Sequence, residues 1–509
     1  MDIVVIGSGM SGLTAGAALA RAGHAVTVLE QAAQVGGVTA AFEQDGYRWE
    51  LGQLLIEGLG SDEPVGAVLA DLGVLSQIRA VKDDRGYVFP DFDLRKLSDF
   101  GGPRWRMDRL QREFPGEARG LARYWQDYVR FTRLMTFARR MGRTSGLRSR
   151  YWQARLFGSL LPFLTRQNWS AQRLAADYFT SEKLRCVFIS ILADFFTPPS
   201  QFQGLGIFAL NPEASFDKRS PKVIGPDAEQ VYMYSLPDGI CTVAAALARQ
   251  IEARGGHVYT RRAAAKIVVE GGRVRAVADA AGTRIPADVV VASGAAKETF
   301  FGLVGEEQLP PDFAARVRGL PLMDSVFMVH LGVDWDPAPY VHGPTTYYYG
   351  TYDVEGGIAE ARQGIYHEGR AGFVVHVPSM LSAERAPAGH HALTIYTICP
   401  NRLAEGSWSE RRALYADRLI GYAERHLPGL SRHVKVRADL TPEDFQARTL
   451  CDHHAFGGLA PIMGAARIPH QTPVSGLWFV GAQSESGGGV NSVIPAAYRT
   501  AQRILRGAK

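Results

Sequence analysis

Cysteine is scarce in this chain, with four in 509 residues (Cys186, Cys241, Cys399, Cys451), far apart and without a Cys-x-x-Cys pair. That excludes a disulfide framework or a zinc knuckle and points to a reducing compartment. Long apolar runs are also missing. The most suggestive stretch, Leu156 to Leu164, falls well short of the roughly 18 residues a spanning helix needs, so no membrane-crossing segment is expected. No basic, then apolar, then small-residue leader precedes Asp2 to Ile6, which already read as a strand, and a cytoplasmic protein is expected. Net charge is small. The 56 basic and 51 acidic side chains leave +5, which excludes a generally basic nucleic-acid binder. No Ser-His-Asp or Cys-His constellation stands out, and no metal site is expected.

What is present, 46% apolar and 21% charged side chains over 509 residues, suits two packed domains. The most specific signal comes first. Asp2 to Ile6 form a β-branched run ending in Gly7-Ser8-Gly9-Met10-Ser11-Gly12; an alanine-rich helix follows over Leu13 to Ala22, then a second β run over His24 to Leu29, closed by Glu30. Strand, glycine turn, helix and acid in that order make a dinucleotide-binding fingerprint. Gly7 permits the turn, Gly9 clears a path to a pyrophosphate, and Gly12 lets helix and strand approach. The helix N-terminus stabilises phosphate charge, and the Glu30 carboxylate can accept hydrogen bonds from ribose hydroxyls.

Gly36-Gly37 and the segment Phe42 to Gly52, with Asp45-Gly46-Tyr47 inside it, follow. This pattern resembles the opening of the flavin amine oxidase superfamily, and more narrowly its phytoene desaturase and carotenoid isomerase branch. Tyr234 to Gly239 ahead of a helix, His330-Leu331-Gly332-Val333, the loop Pro378 to His390, and Leu477 to Ala482 followed by Gly487-Gly488-Gly489-Val490 are similar to later motifs of that branch. There are departures. Val38 stands where many members have Arg or Lys, Ile240 replaces a glycine, and Ser484-Glu485-Ser486 replaces the usual Thr-His-Pro.

The resemblance implies FAD rather than NAD, and a fold of glutathione-reductase type: an α/β, Rossmann-like FAD domain in three pieces (1–75, 228–296, 448–509) and a mixed α+β substrate domain (76–227, 297–447). It implies a cofactor site formed by Gly7, Ser8, Gly9, Met10, Ser11, Gly12, Glu30, Gln31, Gly36, Gly37, Val38, Ala264 (at the adenine), Gly481, Ala482, Gly489 and Val490. It also implies an apolar, carotenoid-, isoprenoid- or lipid-like small-molecule substrate, processed by desaturation, isomerisation or saturation at a C=C bond, as in carotenoid biosynthesis. No second Gly-x-Gly-x-x-Gly unit follows a strand, so the electron acceptor is expected to be oxygen or a quinone, unless the reaction is redox-neutral. An amine substrate is the alternative, disfavoured because Gly481-Ala482 stands where amine oxidases have Gly-Glu. The prenyl-binding GDP-dissociation inhibitors, which share the fold without flavin chemistry, are the non-enzymatic alternative.

Charge is segregated. Arg104 to Arg185 carry 18 basic against six acidic side chains, an excess of 12 that leaves −7 for the rest of the +5 chain. Four of the eight tryptophans (Trp105, Trp125, Trp152, Trp169) lie there, and from Arg119 to Arg173 the only acid is Asp127. At 100° per residue Leu121, Tyr124, Tyr128, Phe131, Met135 and Ala138 share one arc, with Arg119, Arg123, Arg130, Arg133 and Arg140 opposite. The segment 104–186 therefore reads as a basic aromatic face for peripheral contact with anionic membrane, Leu156 to Leu164 dipping to the acyl boundary; an ordinary surface helix in an arginine-rich protein is the plainer reading. Tyr347, Tyr348, Tyr349 and Tyr352 read as a β-hairpin beside Gly350, with a tunnel lining as the other option. Lys297 reads as a surface lysine. Of His453-His454, at most one could face a flavin.

Overall fold

The computed structural model describes residues 1–60, 63–82, 85–94, 104–142, 144–190, 197–211, 233–452, 458–462 and 464–507. The domain boundary expected at residue 228 and the pair His453-His454 lie outside these residues.

The opening fingerprint folds as β1 (Asp2–Ile6), α1 (Met10–Arg21) and β2 (Ala25–Leu29). The helix starts at Met10, three residues before the start read from the sequence, because it is entered directly from Gly9 with no capping side chain. β1 sits at the centre of a five-stranded parallel sheet, ordered His257–Tyr259, β2, β1, Val289–Ser293, Leu477–Val480. Both faces of β1 are covered, which is why it reads as an unbroken apolar run rather than an alternating one. On one face α1 packs against the helices Cys241–Glu252 and Val490–Gly507; buried Ala15, Ala17, Ala18 and Ala20 keep that layer close. Strands from three distant stretches of chain thus share one sheet. The middle stretch also carries a separate antiparallel sheet, Ala264–Glu270, Arg273–Asp279 and Arg284–Pro286. Its first turn is Gly271-Gly272, both at positive φ, and its third strand was not read from the sequence.

A seven-stranded sheet forms the second body, ordered Val434–Leu440, Ser325–Val333, His391–Cys399, Gly372–His376, Thr345–Tyr349, Arg85–Val88, Asp93–Leu94. Here the tyrosine run departs from the expected hairpin. Thr345–Tyr349 pairs antiparallel with Gly372–His376, but the connection contains the helix Val354–Arg362, so Gly350 opens a long helical connection rather than a tight turn. The strand lies inside the sheet, where aromatic residues pack well against both neighbours.

Three motifs that look unrelated in the sequence meet between the two bodies. Glu50, at the end of the strand Tyr47–Glu50, accepts from Nη2 of Arg385 at 2.8 Å, and Nε of Arg385 donates to the carbonyl of Pro237. Both side chains are under 5% exposed. Removing one partner of such a pair leaves an uncompensated buried charge. Around it Tyr47 bonds His390, and Trp49 Nε1 donates to the Leu331 carbonyl.

The basic stretch forms a helical lobe, chiefly Ala118–Gly142 and Gly146–Leu160. The proposed apolar arc is divided. Leu121, Tyr124 and Tyr128 are buried against Phe179, Phe188 and Phe208, so this half packs on protein and not on lipid, as the plainer reading held. Met135 is exposed, and Gly146–Leu160 has no buried residue. No helix among the described residues is long and apolar enough to cross a membrane.

Candidate functional site

A cleft of about 1340 Å³ opens at the carboxyl ends of β1, Val289–Ser293 and Leu477–Val480, where ligands of open α/β sheets bind. Gly7, Gly9, Met10, Ser11, Glu30, Gln31, Gly36, Gly37, Val38, Ala264, Gly481, Ala482, Gly489 and Val490 line it. Fourteen of the sixteen residues named from the sequence are therefore brought to one cavity. Ser8 and Gly12 are not among its walls. Ser8 lies behind the turn, its N–H and hydroxyl both donating to Oε2 of Glu30. Gly12 faces Gly7, where a Cβ would fall 2.1 Å from the Gly7 carbonyl oxygen. Both shape the turn from behind.

The cleft has the form that a flavin dinucleotide requires. A Cβ on Gly9 would meet no protein atom nearer than Ser293 Oγ at 4.0 Å, so that glycine leaves space on the ligand side rather than relieving a clash with protein. The first N–H groups of α1, including those of Met10 and Ser11, have no acceptor within the helix, and both residues line the cleft. The backbone of Gly9 bridges that of Gly36, and Gly36 N donates to the Ser8 carbonyl, so the two glycine turns form one wall. Oε1 of Glu30 accepts from Ala32 N at 2.8 Å; with Oε2 holding Ser8, the carboxylate is fixed in orientation and Oε1 keeps a lone pair for a ribose hydroxyl. Beside these turns Ser11 and Ser293 share a hydrogen bond of 2.8 Å. The Ser484-Glu485-Ser486 departure has a structural use: the hydroxyls of Ser484 and Ser486 both donate to the Gly481 carbonyl, at 2.7 and 3.2 Å.

Sequence reasoning missed part of this wall. Gln53, Ser293, Glu298, Arg448 and Cys451 also line the cleft, and none sits in a recognisable motif. Burial pushes the Cys451 thiol up to about 11, which keeps it neutral. Burial also lowers the Arg448 pKa, with Glu30 acting the other way. Lys297 stays outside, paired with Asp452 at 2.8 Å and 40% exposed.

A second cavity of about 1660 Å³ shares Gln53, Gly489 and Val490 with the cofactor cleft. Its walls are largely apolar, with Leu54, Leu55, Met233, Met323, Val326 and Ile398. At its rim Asn491 Nδ2 donates to Glu57 Oε2 at 2.5 Å. A third cavity of about 550 Å³ continues beyond Tyr347, Tyr396 and Ile398, which line both. The tyrosine strand thus lines these cavities as well as pairing in the sheet.

The chain is 28% identical over 293 residues to the pyridine nucleotide-disulfide oxidoreductase domain-containing protein 2 of Rattus norvegicus, covering 52% of this chain and 50% of that one; it spans about half the length of the first curated relatives it matches. It is 26% identical over 526 residues to the zeta-carotene-forming phytoene desaturase of Myxococcus xanthus, covering 99% of this chain and 93% of that one. An oxidoreductase from Methanosarcina mazei has the same fold, with a TM-score of 0.63 at 17% identity, covering 99% of this chain and all of that one. The family model for flavin-containing amine oxidoreductases matches residues 10–505, and the chain belongs to this family of FAD-dependent oxidoreductases.

Proposed function

We propose that this protein transfers hydride at or next to a C=C bond of a long, apolar, carotenoid-, isoprenoid- or lipid-like molecule, with FAD held by the cleft residues named above. The observation that carries this reading is the second cavity: large, mostly apolar, and sharing a wall with the cofactor cleft. Bound FAD would supply a hydride acceptor or donor. The protein's own part is positional. The apolar walls seat the chain against the Gln53, Gly489 and Val490 wall and exclude water, and an apolar polyene offers no acidic handle for a general base. The likeness to the phytoene desaturase supports the substrate class. The domain division given above, with the cofactor pieces at 1–75, 228–296 and 448–509, belongs to the same reading, as do oxygen or a quinone as electron acceptor.

The helical lobe supports a membrane partner. Its one acid between Arg119 and Arg173, Asp127, is buried, so the outer surface of that stretch presents cations without acids. Leu147 (82% exposed), Phe157 (63%) and Leu161 (52%) stand among those arginines. This combination fits an anionic bilayer surface from which a water-insoluble substrate could enter.

The test mixes the oxidised holoprotein and, separately, the anaerobically reduced holoprotein with a polyene, a fatty-acid and an amine panel, following flavin absorbance and analysing products. A polyene product of changed saturation or geometry supports the reading; turnover restricted to amines overturns it.

A further inference from the structure

We propose that Arg448 is the cation that neutralises the FAD pyrophosphate, reaching it from the C-terminal segment of the chain. The inference rests on the placement of FAD in the cleft.

Charge balance is the first observation. Among the described residues lining the cleft, Arg448 is the only cation, while Glu30 and Glu298 are acids. A pyrophosphate adds two further negative charges, and helix-end N–H groups carry only partial compensation for them. Position is the second. Arg448 Nε donates to the Gly37 carbonyl at 2.8 Å. A Cβ on Gly37 would lie 3.5 Å from the Cα of Gly9, the glycine whose open side faces the ligand. The guanidinium is therefore anchored beside the phosphate turn.

The third observation is what the guanidinium lacks. Its Nη2 is closed off from solvent and has no hydrogen-bond partner, and no carboxylate among the described residues lies within ion-pair distance of Arg448. A cation in this state at a protein wall is costly unless an anion joins it. A phosphate oxygen pair suits the planar fork of donors. The backbone is held for this purpose from both sides. Gln31 Nε2 donates to the Arg448 carbonyl at 2.8 Å, and the helix Pro442–Thr449 ends in Leu450 at φ 58°, a left-handed conformation that a leucine seldom adopts.

The experiment titrates apo-protein with FAD and, separately, with riboflavin, which has no phosphate, following flavin fluorescence. Arg448→Met should weaken FAD on the order of 30-fold, the range for losing a charged hydrogen-bonded partner, and leave riboflavin unchanged. Its apo form should melt no lower than wild type, because an uncompensated charge has been removed. Adding Val38→Arg, beside Gly37 on the same wall, should recover at least about tenfold of the FAD affinity, and inorganic pyrophosphate should compete with FAD in wild type but not in Arg448→Met. Equal weakening of FAD and riboflavin, or unchanged FAD affinity, would overturn the assignment. Failure of wild-type apo-protein to take up any flavin would instead overturn the placement of FAD in this cleft.

Discussion

The cleft proposed to hold the cofactor and the helical lobe proposed to meet the membrane are built in opposite ways. In the cleft the facing groups are mostly backbone, brought close by Gly7, Gly36, Gly37 and Gly481 at positive φ. In the lobe every outward feature is a side chain: arginines, tryptophans and the exposed Leu147 and Phe157. Three tryptophans there have a cation over the ring, with Arg104 over Trp125 at 5.4 Å, Arg140 over Trp152 at 4.9 Å and Arg173 over Trp169 at 4.3 Å. A backbone site tolerates almost no substitution, because a single Cβ alters it. A side-chain surface is redundant, and its function is spread over many small contributions.

Two matched glycine substitutions test that contrast most severely. Gly12→Val should abolish flavin retention, since its Cβ would fall 2.1 Å from the Gly7 carbonyl oxygen and the turn cannot move without opening the wall. Gly158→Val, in the lobe, meets nothing within 4 Å and should shift stability by less than about 1 kcal/mol. Flavin absorbance per protein, read with a melting curve, separates the two. Comparable flavin loss in both variants would end the contrast.

The same contrast explains what could be read in advance. Close approach to a pyrophosphate demands glycine at fixed spacing, so Gly7, Gly9, Gly36 and Gly37 were legible, and the parallel sheet followed from β1 and β2. Arg448 was not legible, because its relation to Gly37 spans 411 positions and exists only after folding. The arc from Leu121 to Ala138 was legible as amphipathic but not as divided, since an apolar helix face looks the same whether aromatic side chains or lipid cover it. Tyr347 was ambiguous because a strand next to glycine has the same local signature before a tight turn and before a long helical connection.

Acid separates the lobe from the sheet beneath it. His330, His367 and His376, all on the sheet side, are lowered by burial to about 3, 4 and 3. Each folded value lies below the unfolded one, so unfolding takes up protons below pH 6.5. Stability is full above that pH and falls as pH drops, by about 2 kcal/mol per histidine at pH 5 as an upper figure. Asp127 in the lobe behaves otherwise. Burial would raise its pKa, but the Tyr178 hydroxyl at 2.5 Å, Arg130 at 2.8 Å and Arg166 at 3.0 Å hold it below the usual carboxylate value. Its contribution is present above the unfolded carboxylate pKa and is lost only as pH falls through the lowered one. Melting between pH 7.5 and 5 should therefore show a steep loss, reduced by His330→Gln; a flat profile over that interval would contradict the neutral buried histidines.

The exposed apolar residues should matter for membrane binding and little else. Leu147→Ser with Phe157→Ser should lower sedimentation with anionic vesicles by roughly tenfold, in line with about 0.8 kcal/mol per buried CH₂, while flavin content and melting temperature stay as in wild type. Binding that survives the double substitution but disappears in high salt would assign the contact to the arginines alone.

The smallest effect expected comes from a single stacked cation. Arg173 lies over the half-buried Trp169 ring at 4.3 Å, and an exposed pair of this kind is worth about 0.5–1 kcal/mol. Arg173→Gln keeps a long polar side chain and removes only the charge over the ring. Its melting temperature should fall by a few degrees at most, and vesicle binding should drop about twofold, while the Trp169 emission shifts as the ring gains water. A loss as large as that of the Leu147 and Phe157 pair would mean that one residue dominates the lobe, which is the behaviour of the glycine-built cleft and not of a redundant surface.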